Sequence, residues 1–561
     1  MSKNYSFKTV PTLRKSRGRF DLSFGNKTTM NVGTLYPIYV QEVYPGDTFK
    51  VKPTFVCRST TPFLKPVMDN LFLDTYFFFV PNRIIDSRFE AVIGAVSEPN
   101  EWANRTERQV PTLIMSNGVT PGGVADYLGL PLGCKQSDIS LYPFRAFAKV
   151  YDDWFRDENN VQPMLIQTGD SVSSEVLNDN DWAPNNYTGK LPKVAKMHDY
   201  FTSCLPGVYK GQTPLVPVSS EYNVDGDIPI KNSAVIHLPS ENPVWNAEPT
   251  RFSSDVVGQG LSVGPVVFSP SFDGSSNGTF GVNPQEGVLP PSTNLCAYNL
   301  VVPGGGLGIT SVDLIQAMAL QKMLANDARG GTRYTEILQS HFGVMSPDQR
   351  LQRSEFLGGK RSPLSVTQVA QTGATTENNP LADLAGYSQS VGQARFSKGF
   401  VEHGFIIGVA CIRYFHSYQQ GVERFWTRNE RLDFYDPAFA HITEQPVYKS
   451  ELYSNGGVVG DSTSSGIFGY QEAWADLRSR RNQITGQMRS STTGITLDIW
   501  HFADNYTSAP VLGKDFINET PVFVDRTLSV PSTSQDQFII DLWFENIAIR
   551  VLPVFSVPKL G

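Results

Sequence analysis

The sequence predicts a mainly β protein, built as a single jelly-roll β-sandwich of eight strands with long loop and helix insertions. Aromatic residues reach 12% and charged residues only 18%, with 47 glycines and 38 prolines, a composition typical of β-rich, loop-rich chains. Strand-like segments recur along all 561 residues, whereas helical periodicity is sparse. Eight strands of ~6 residues need only ~50 residues, so most of the chain must form connections.

The first strands are predicted at Leu35–Val43 and Thr48–Val56. They are joined by Tyr-Pro-Gly-Asp, a combination that favours a tight turn. The earlier residues, 1–34, lack hydrophobic periodicity and contain six lysines or arginines before residue 20. We therefore predict that 1–34 is a basic N-terminal arm.

The next segment, LFLDTYFFFVPNRIID (Leu71–Asp86), is unusually apolar. A membrane-spanning helix needs ~20 apolar residues, whereas the apolar run here, Leu71–Val80, is half as long and contains Asp74. Its aromatic content favours a strand with apolar side chains on both faces. The second face must therefore be covered by a long insertion or by another copy of the chain.

Three segments have helical periodicity. In PFRAFAKVYDDWFRDENN, apolar residues from Phe144 to Phe155 form one stripe, and Pro143 suits the first turn. A second helix is predicted from Ser311 to about Asp327, ending before Gly330-Gly331. The third is TRYTEILQSHFG, where His341 lies on the apolar stripe and is interpreted as a core histidine.

The last strands are predicted in GFIIGVACIRYF (Gly404–Phe415) and QFIIDLWFENIAIRVLPVF. In the latter, Phe538 and Phe544 share one parity, whereas Ile547 and Ile549 have the other. This change predicts a bulge near Glu545-Asn546.

The remaining segments complete the domain prediction. Residues 35–213 and 311–561 are predicted to carry the jelly-roll strands and the helices. Ser, Gly, Pro and Asn dominate residues 214–310. A structureless loop of this length is unusual in a compact domain, so 214–310 is predicted to be a large, loop-rich insertion that projects from the body.

Two basic groups could neutralise phosphates. The alternative for each is a solvated tail or an ion-paired interface. The candidate nucleic-acid contacts are Lys3, Lys8, Arg14, Lys15, Arg17 and Arg19 in the arm, and Arg478, Arg480 and Arg481 in AWADLRSRRNQITGQMR.

Other motifs do not support catalysis or cofactor binding. Gly260–Gly264 matches G-x-S-x-G but lacks the strand–turn–helix context, and the glycines at 304–308 lack a G-x-G-x-x-G spacing. Asn178–Asp181 lacks the glycine and glutamate of an EF-hand loop. The seven histidines form no metal motif. We therefore predict no catalytic residue, no metal and no cofactor.

Charge and cysteine content narrow the class further. The net charge is −7 and the pI about 5.6, which does not indicate a nucleic-acid-binding chain as a whole. The five cysteines are scattered and form no CxxC, so we predict reduced thiols in a protein that folds in a cytoplasm. No targeting or membrane-spanning segment is predicted.

Six long segments have highly individual sequences: RGRFDLSFGNKTTMNVGTLYPIYVQEVYPGDTF, DTYFFFVPNRI, FRAFAKVYDDWFRDENN, YFTSCLPGVYKG, GTRYTEILQSHFGVMSPDQRLQRSEFLGG and GYQEAWADLRSRRNQITGQMR. They closely resemble the major capsid protein of gokushoviruses, which are small single-stranded-DNA bacteriophages of the microvirus family. The similarity runs from near Arg17 to the C-terminal region and is weakest between about Pro214 and Leu300.

The resemblance implies a viral jelly roll that self-assembles in sixty copies as a T=1 icosahedral shell around circular single-stranded DNA. Residues 214–310 would form protrusions at the threefold axes that meet a host-cell receptor. The implied partners also include a small basic DNA-binding protein and other minor virion proteins. The chain would be made and assembled in the bacterial cytoplasm, and reside in the virion.

Two other classes remain as alternatives. A secreted β-sandwich carbohydrate-binding protein or hydrolase would require a signal peptide and converging carboxylates, and neither is found in the sequence. A nucleotide-dependent enzyme would depend on the 304–308 glycines alone.

Overall fold

The structure is a computed structural model of the chain. It describes residues 16–96, 108–113, 118–135, 138–164, 168–169, 189–211, 228–230, 253–255, 294–297, 311–373, 381–440, 442–454, 466–490 and 496–556. The chain divides into two compact units, residues 1–210 with 325–561, and residues 211–324.

The described strands are antiparallel, and eight of them have seven residues or more. They are β1 Gly18–Asp21, β2 Phe24–Met30, β3 Tyr36–Val43, β4 Thr48–Ser59, β5 Leu71–Pro81, β6 Thr112–Leu113, β7 Ile139–Ser140, β8 Ile228–Ile230, β9 Ser253–Asp255, β10 Asn294–Ala297, β11 Glu355–Leu364, β12 Val366–Ala370, β13 Leu384–Gln393, β14 Phe396–Gly399, β15 Gly404–Tyr414, β16 Gln445–Tyr448, β17 Ile467–Gln471 and β18 Phe538–Arg550.

The first unit contains a two-layer sandwich. One sheet has the order β1-β18-β4-β13-β12, with β2 on β18 and β14 on β4; the other has the order β11-β5-β15-β3. β1 and β2 continue one register along β18, and β13 and β14 do the same along β4. If β1 with β2, and β13 with β14, are each counted as one interrupted strand, each sheet has four strands, and β12 is an additional edge strand of the first sheet. This Greek-key order confirms the predicted jelly-roll class.

Aromatic side chains from both sheets fill the space between the layers. The ring of Phe544 lies 5.0 Å from that of Tyr39, and Phe77 lies 5.2 Å from Phe396. The predicted Tyr-Pro-Gly-Asp turn joins β3 to β4. These two strands belong to different sheets, so the turn carries the chain from one layer to the other.

The apolar run forms β5, as predicted, and both of its faces are largely buried. Its second face is covered by the chain's own helical insertion. The ring of Phe78 lies 5.3 Å from Trp154 and 6.0 Å from Phe155. The sequence left open whether an insertion or another copy of the chain covers this face, and in the structure the insertion covers it.

Asp74 is fully buried within this strand and is paired with two arginines. Arg361 on β11 donates two hydrogen bonds to its carboxylate, at 2.7 and 3.0 Å. Arg413 on β15 donates from the other side, with Nε 3.1 Å from Oδ2. The carboxylate thereby joins three adjacent strands, since buried charges require such partners.

The described helices are mostly short. They are α1 Asn82–Ile85, α2 Phe89–Ile93, α3 Val124–Tyr127, α4 Tyr142–Trp154, α5 Ser311–Arg329, α6 Tyr334–Phe342, α7 Lys449–Leu452, α8 Ala475–Arg478, α9 Lys514–Ile517 and α10 Val522–Asp525. Helices α4, α5 and α6 match the three predicted helices, including proline in the first turn of α4 and a left-handed Gly343 after α6.

The core assignment of His341 is wrong. No residue of α6 is buried, and Nε2 of the partly exposed His341 lies 2.9 Å from Asp327 Oδ1. Its neighbour Phe342 is 73% exposed. The apolar stripe therefore does not face a core formed by the described residues.

The predicted bulge in the last strand is also wrong. β18 keeps one register with β4 from Phe538 to Ile549. Asn546 is fully buried on the core face, where its Nδ2 donates to the hydroxyl of Tyr39 at 2.9 Å. The polar residue thus keeps the inward parity, and the interruption lies opposite it, at residues 22–23 between β1 and β2.

Part of the predicted arm belongs to the sandwich. Within 1–34, Gly18–Asp21 and Phe24–Met30 pair with β18, so the arm assignment is wrong for these strands. Residues 1–15 lie outside the described residues. The second unit has β8, β10 and β9 as a three-stranded antiparallel sheet, and the rest of 214–310 also lies outside the described residues.

Several expected features can be compared with the described residues. Cys57, Cys134, Cys204 and Cys411 are free thiols. Among the residues that the structure describes, His, Cys, Asp and Glu form no group that could hold a metal ion. Among the same residues, no helix is long and apolar enough to cross a membrane. Gly260–Gly264, the 304–308 glycines and Asn178–Asp181 lie outside the described residues.

Candidate assembly surface and nucleic-acid interface

An aromatic-rich segment lies between β15 and β18. We name residues 424–439 the aromatic segment; it contains three short 3₁₀ helices, Arg424–Thr427, Arg431–Asp433 and Pro437–Phe439. Trp426 and Leu432 are 73% and 72% exposed. The other exposed large apolar residues of this segment are Phe425, Phe434, Tyr435 and Phe439.

The backbone of the aromatic segment is fixed to the body although its side chains are exposed. Trp474 Nε1 donates to the carbonyl of Phe439 at 2.9 Å, and the Trp474 ring lies 5.4 Å from the ring of Tyr435. Arg428 forms an ion pair with Asp476. The exposed side chains are thus presented by an ordered local structure.

A buried ion cluster joins connecting segments of the same unit. His416 Nδ1 is 2.7 Å from Asp504 Oδ1, and its Nε2 is 2.9 Å from Glu519 Oε2. Lys196 Nζ donates to Asp504 Oδ2 at 3.0 Å, and the Tyr506 hydroxyl donates to the same oxygen at 2.6 Å. We name His416, Asp504, Glu519 and Lys196 the His416 cluster.

The pKa of His416 follows from these contacts. Burial alone would lower it, but the carboxylates of Asp504 and Glu519 outweigh burial and raise the pKa of His416 to about 9. Burial would raise the pKa of Asp504, yet His416 and Lys196 hold it well below its ordinary value. At neutral pH the imidazole is therefore positively charged and links segments that are distant in sequence.

The exposed, anchored aromatic segment is suited to protein–protein contact. Soluble monomers rarely expose contiguous apolar patches of more than a few hundred Å², and obligate interfaces are large and apolar. Sequence reasoning missed this segment, because FWTRNERLDFYDPAF has neither helical nor strand periodicity. Its density of aromatic residues among charged ones was the available signal.

The three arginines predicted to contact nucleic acid differ in their surroundings. Arg478 is half exposed and forms an ion pair with Glu472 at 2.5 Å. Arg481 donates to the backbone carbonyls of Glu451 and Gly421, and burial lowers its pKa. Arg480 is exposed and lines a surface groove together with Arg478 and Arg481.

Only the end of the predicted basic arm can be located. Arg17 and Arg19 are exposed, and Arg19 lies on β1 opposite Ile549 of β18. Lys3, Lys8, Arg14 and Lys15 lie outside the described residues. The structure therefore does not bring the two predicted basic groups together into one observed site.

Comparison with known proteins gives a consistent result. Residues 8–560 match the family described as capsid protein (F protein). The chain is 36% identical to capsid protein VP1 of Chlamydia phage 1, with 99% of this chain and 97% of that protein covered. It is 35% identical to VP1 of Bdellovibrio phage phiMH2K, with the same coverage, and 39% identical to VP1 of Spiroplasma virus 4, with 94% and 93% covered.

These relatives confirm the resemblance to gokushovirus capsid proteins, which the sequence segments had indicated. They also exclude the two alternative classes, since the similarity extends over nearly the whole chain. The chain belongs to the capsid protein (F protein) family of bacteriophages, and it is a structural component of the virion rather than an enzyme.

Proposed function

We propose that sixty copies of this major capsid protein form a closed T=1 icosahedral shell around circular single-stranded DNA. The observation that carries this proposal is the aromatic segment, which is anchored to the body yet exposes Trp426 and Leu432. A closed symmetric assembly buries such surfaces between identical copies. Burial of apolar surface between copies, rather than any chemical step, then drives assembly.

The same proposal assigns roles to the remaining segments. Residues 214–310 form protrusions at the threefold axes and meet a host-cell receptor. A small basic DNA-binding protein and other minor virion proteins join the particle, which is made and assembled in the bacterial cytoplasm. Its support is the resemblance of the long sequence segments to gokushovirus capsid proteins and the full-length similarity to three phage capsid proteins.

A double substitution, Trp426→Ser with Leu432→Ser, tests the assembly surface. The expressed wild-type chain should form uniform shells in negative-stain images, and the variant should remain as small species, because the apolar contact is removed. Leu132→Ser with Val511→Ser is the matched control, since both residues are exposed apolar positions outside the segment, at 58% and 65%. Equal thermal unfolding temperatures of the double variant and the control, both measured on unassembled subunits, show that the fold is intact. Shells from the double variant would contradict the proposed role of this surface.

The arm is tested by deleting residues 2–15, which removes Lys3, Lys8, Arg14 and Lys15 but leaves β1 in place. Purified particles should carry less DNA per shell, because four phosphate-neutralising charges per copy are lost. The ratio of absorbance at 260 nm to protein content measures this. Unchanged DNA content would assign packaging to other partners.

A further inference from the structure

The outward face of the β18-containing sheet is basic and partly aromatic. Core-facing residues of β18 alternate with exposed ones from Phe538 to Glu545. The exposed positions of β18 pair with outward positions of β1, β2 and β4. The outward positions of β4 pair in turn with those of β13. We name this surface the basic sheet face. Its basic residues are Arg19, Lys27, Lys50, Lys52, Arg58 and, between β13 and β14, Arg395.

The charge of this face contrasts with that of the whole chain. Against the six cations stand three acidic residues among the described outward positions, Asp21, Asp541 and Glu545. The face therefore carries a net charge of +3, whereas the chain carries −7. A local excess of cations on an acidic protein is the electrostatic footprint of a polyanion-binding surface.

The cations of the face are largely without intramolecular ion pairs. Lys52 lies 3.7 Å from Glu545, with both side chains about half exposed, and such a pair contributes little. Lys27 is directly opposite Asp541 in register. In the part of the chain that the structure describes, neither Lys50 nor Arg58 has an ion-pair partner within 4.0 Å.

An exposed indole lies in the middle of these cations. Trp543 is 56% exposed, between Gly25 on β2 and Thr54 on β4. Its ring extends over the neighbouring strand, because a Cβ at Gly25 would lie only 3.5 Å from it. Val391 and Ile539 add exposed apolar area nearby, at 66% and 45%. A flat aromatic surface bordered by lysine and arginine can stack a base while cations hold the phosphates.

We propose that the basic sheet face is a sequence-independent binding site for single-stranded DNA, in which Trp543 stacks on a base. β18 spans 13 residues, which corresponds to ~40 Å of sheet, enough for several nucleotides. This inference rests on the proposed function, because it presumes that the shell encloses DNA. It adds a site that shares only Arg19 with the basic residues predicted from the sequence.

The side chains of this face favour a nucleic acid over the main alternative, a second copy of the chain. A homotypic contact would bring like charges together around Lys27, Lys52 and Arg395, which is unfavourable. An acidic surface of another copy could also attract these cations, because the whole chain is negatively charged. Binding of carboxylates would not need an exposed indole among the cations, however, whereas stacking of a base would use it. Contact between copies is nevertheless an outcome that the test can detect.

The aromatic contribution is tested with Trp543→Leu and Trp543→Phe in the full-length chain. The probe is a fluorescein-labelled oligo(dT), and its affinity for unassembled subunits is measured by anisotropy. Leucine should weaken binding about tenfold, because a stacked base is lost. Phenylalanine, which retains a ring, should recover most of the affinity. Equal affinity of all three proteins would overturn the stacking role.

The electrostatic contribution is tested with Lys27→Gln, Lys50→Gln and Arg395→Gln combined. Removal of three phosphate contacts should reduce the slope of log affinity against log salt by about 2. The matched control replaces exposed cations outside the face, Lys135→Gln, Arg350→Gln and Lys360→Gln, and should leave the slope within about 0.5 of wild type. An equal loss in both triple variants would indicate nonspecific charge attraction and overturn the site.

Imaging the same preparations separates this inference from the proposed function. If the wild type forms shells and the face variants bind DNA normally, the site fails while the shell proposal stands. If the wild type forms no shells, the shell proposal fails. If the face variants bind DNA normally but cannot assemble, the face is a contact between copies and the DNA site is overturned.

Discussion

Two buried ion clusters among the described residues, around Asp74 and around His416, illustrate different ways of placing charge in an interior. Asp74 lies in the sandwich, paired with Arg361 and Arg413, and Arg361 remains 40% exposed. The His416 cluster lies in the connecting segments, and the side chains of His416, Asp504 and Glu519 are fully inaccessible. Arginine stays protonated at every physiological pH, whereas histidine does not. Arg361 and Arg413 in the sandwich therefore keep their charge when the pH rises mildly, whereas His416 in the connecting segments can lose its charge.

The largest expected effect is on the sandwich side of this comparison. Asp74→Ala should lower the free energy of unfolding by about 3–5 kcal/mol, because it leaves Arg413 without its carboxylate in a mostly buried position. Urea unfolding of the unassembled subunit measures the change. Asp541→Ala is the control, since this aspartate lies at an exposed position of a strand, and a loss as large as that of Asp74→Ala would contradict the explanation.

A somewhat smaller effect is expected from pH at the His416 cluster. The pKa of His416 is raised from its ordinary 6.5 to about 9, so its contribution is full below pH 6.5 and is lost as pH rises through about 9. The free energy of unfolding should fall by about 3 kcal/mol across this window. Denaturation at several pH values measures the decrease.

Glu519→Gln sharpens this pH prediction. The variant leaves Asp504 as the one carboxylate on His416, so the pKa of the imidazole should be raised less and the pH-dependent loss should be smaller than in wild type. A wild-type stability that stays constant between pH 6.5 and 9 would show that His416 is neutral in the folded protein.

The smallest effect is expected where a charge pair lies on the surface. Lys52→Gln breaks the contact with Glu545, but the two side chains are 50% and 54% exposed. The free energy of unfolding should change by less than about 1 kcal/mol, since solvent screens the pair. A change comparable to that of Asp74→Ala would indicate that burial is not what distinguishes these pairs.

The elements that sequence reasoning located are those whose burial is nearly uniform. β5 and β15 are apolar on both faces, and the stripe of α4 is buried as its period predicts. β1 and β2 were assigned to an arm, because an edge strand with Arg19 and Lys27 on its outer face has little hydrophobic signal. The bulge prediction near Asn546 was wrong because a polar residue was not expected on the buried face. Asn546 is buried there through a hydrogen bond to Tyr39 that only the fold reveals.

The candidate surfaces were less predictable, since they depend on which strands become neighbours. Lys27, Lys52, Arg395 and Trp543 come from four separate strands or turns and share a face only through the pairing of β2 with β18, β18 with β4, and β4 with β13 and β14. Arg19 was selected for its charge alone, and the sheet places it on this face. The aromatic segment was contiguous in sequence, but its exposure follows from anchors at Trp474 and Asp476.

The pairing of β5 with β11 has a practical consequence for engineering. These strands are hydrogen-bonded neighbours from Leu71 to Phe79, although residues 82–354 lie between them in the chain. The entropy of closing a loop grows only logarithmically with its length, so that doubling the loop costs about 0.6 kcal/mol. Loop-closure entropy therefore sets little limit on the length of a foreign peptide inserted into this interval, provided that the insertion spares α4, whose buried face covers β5.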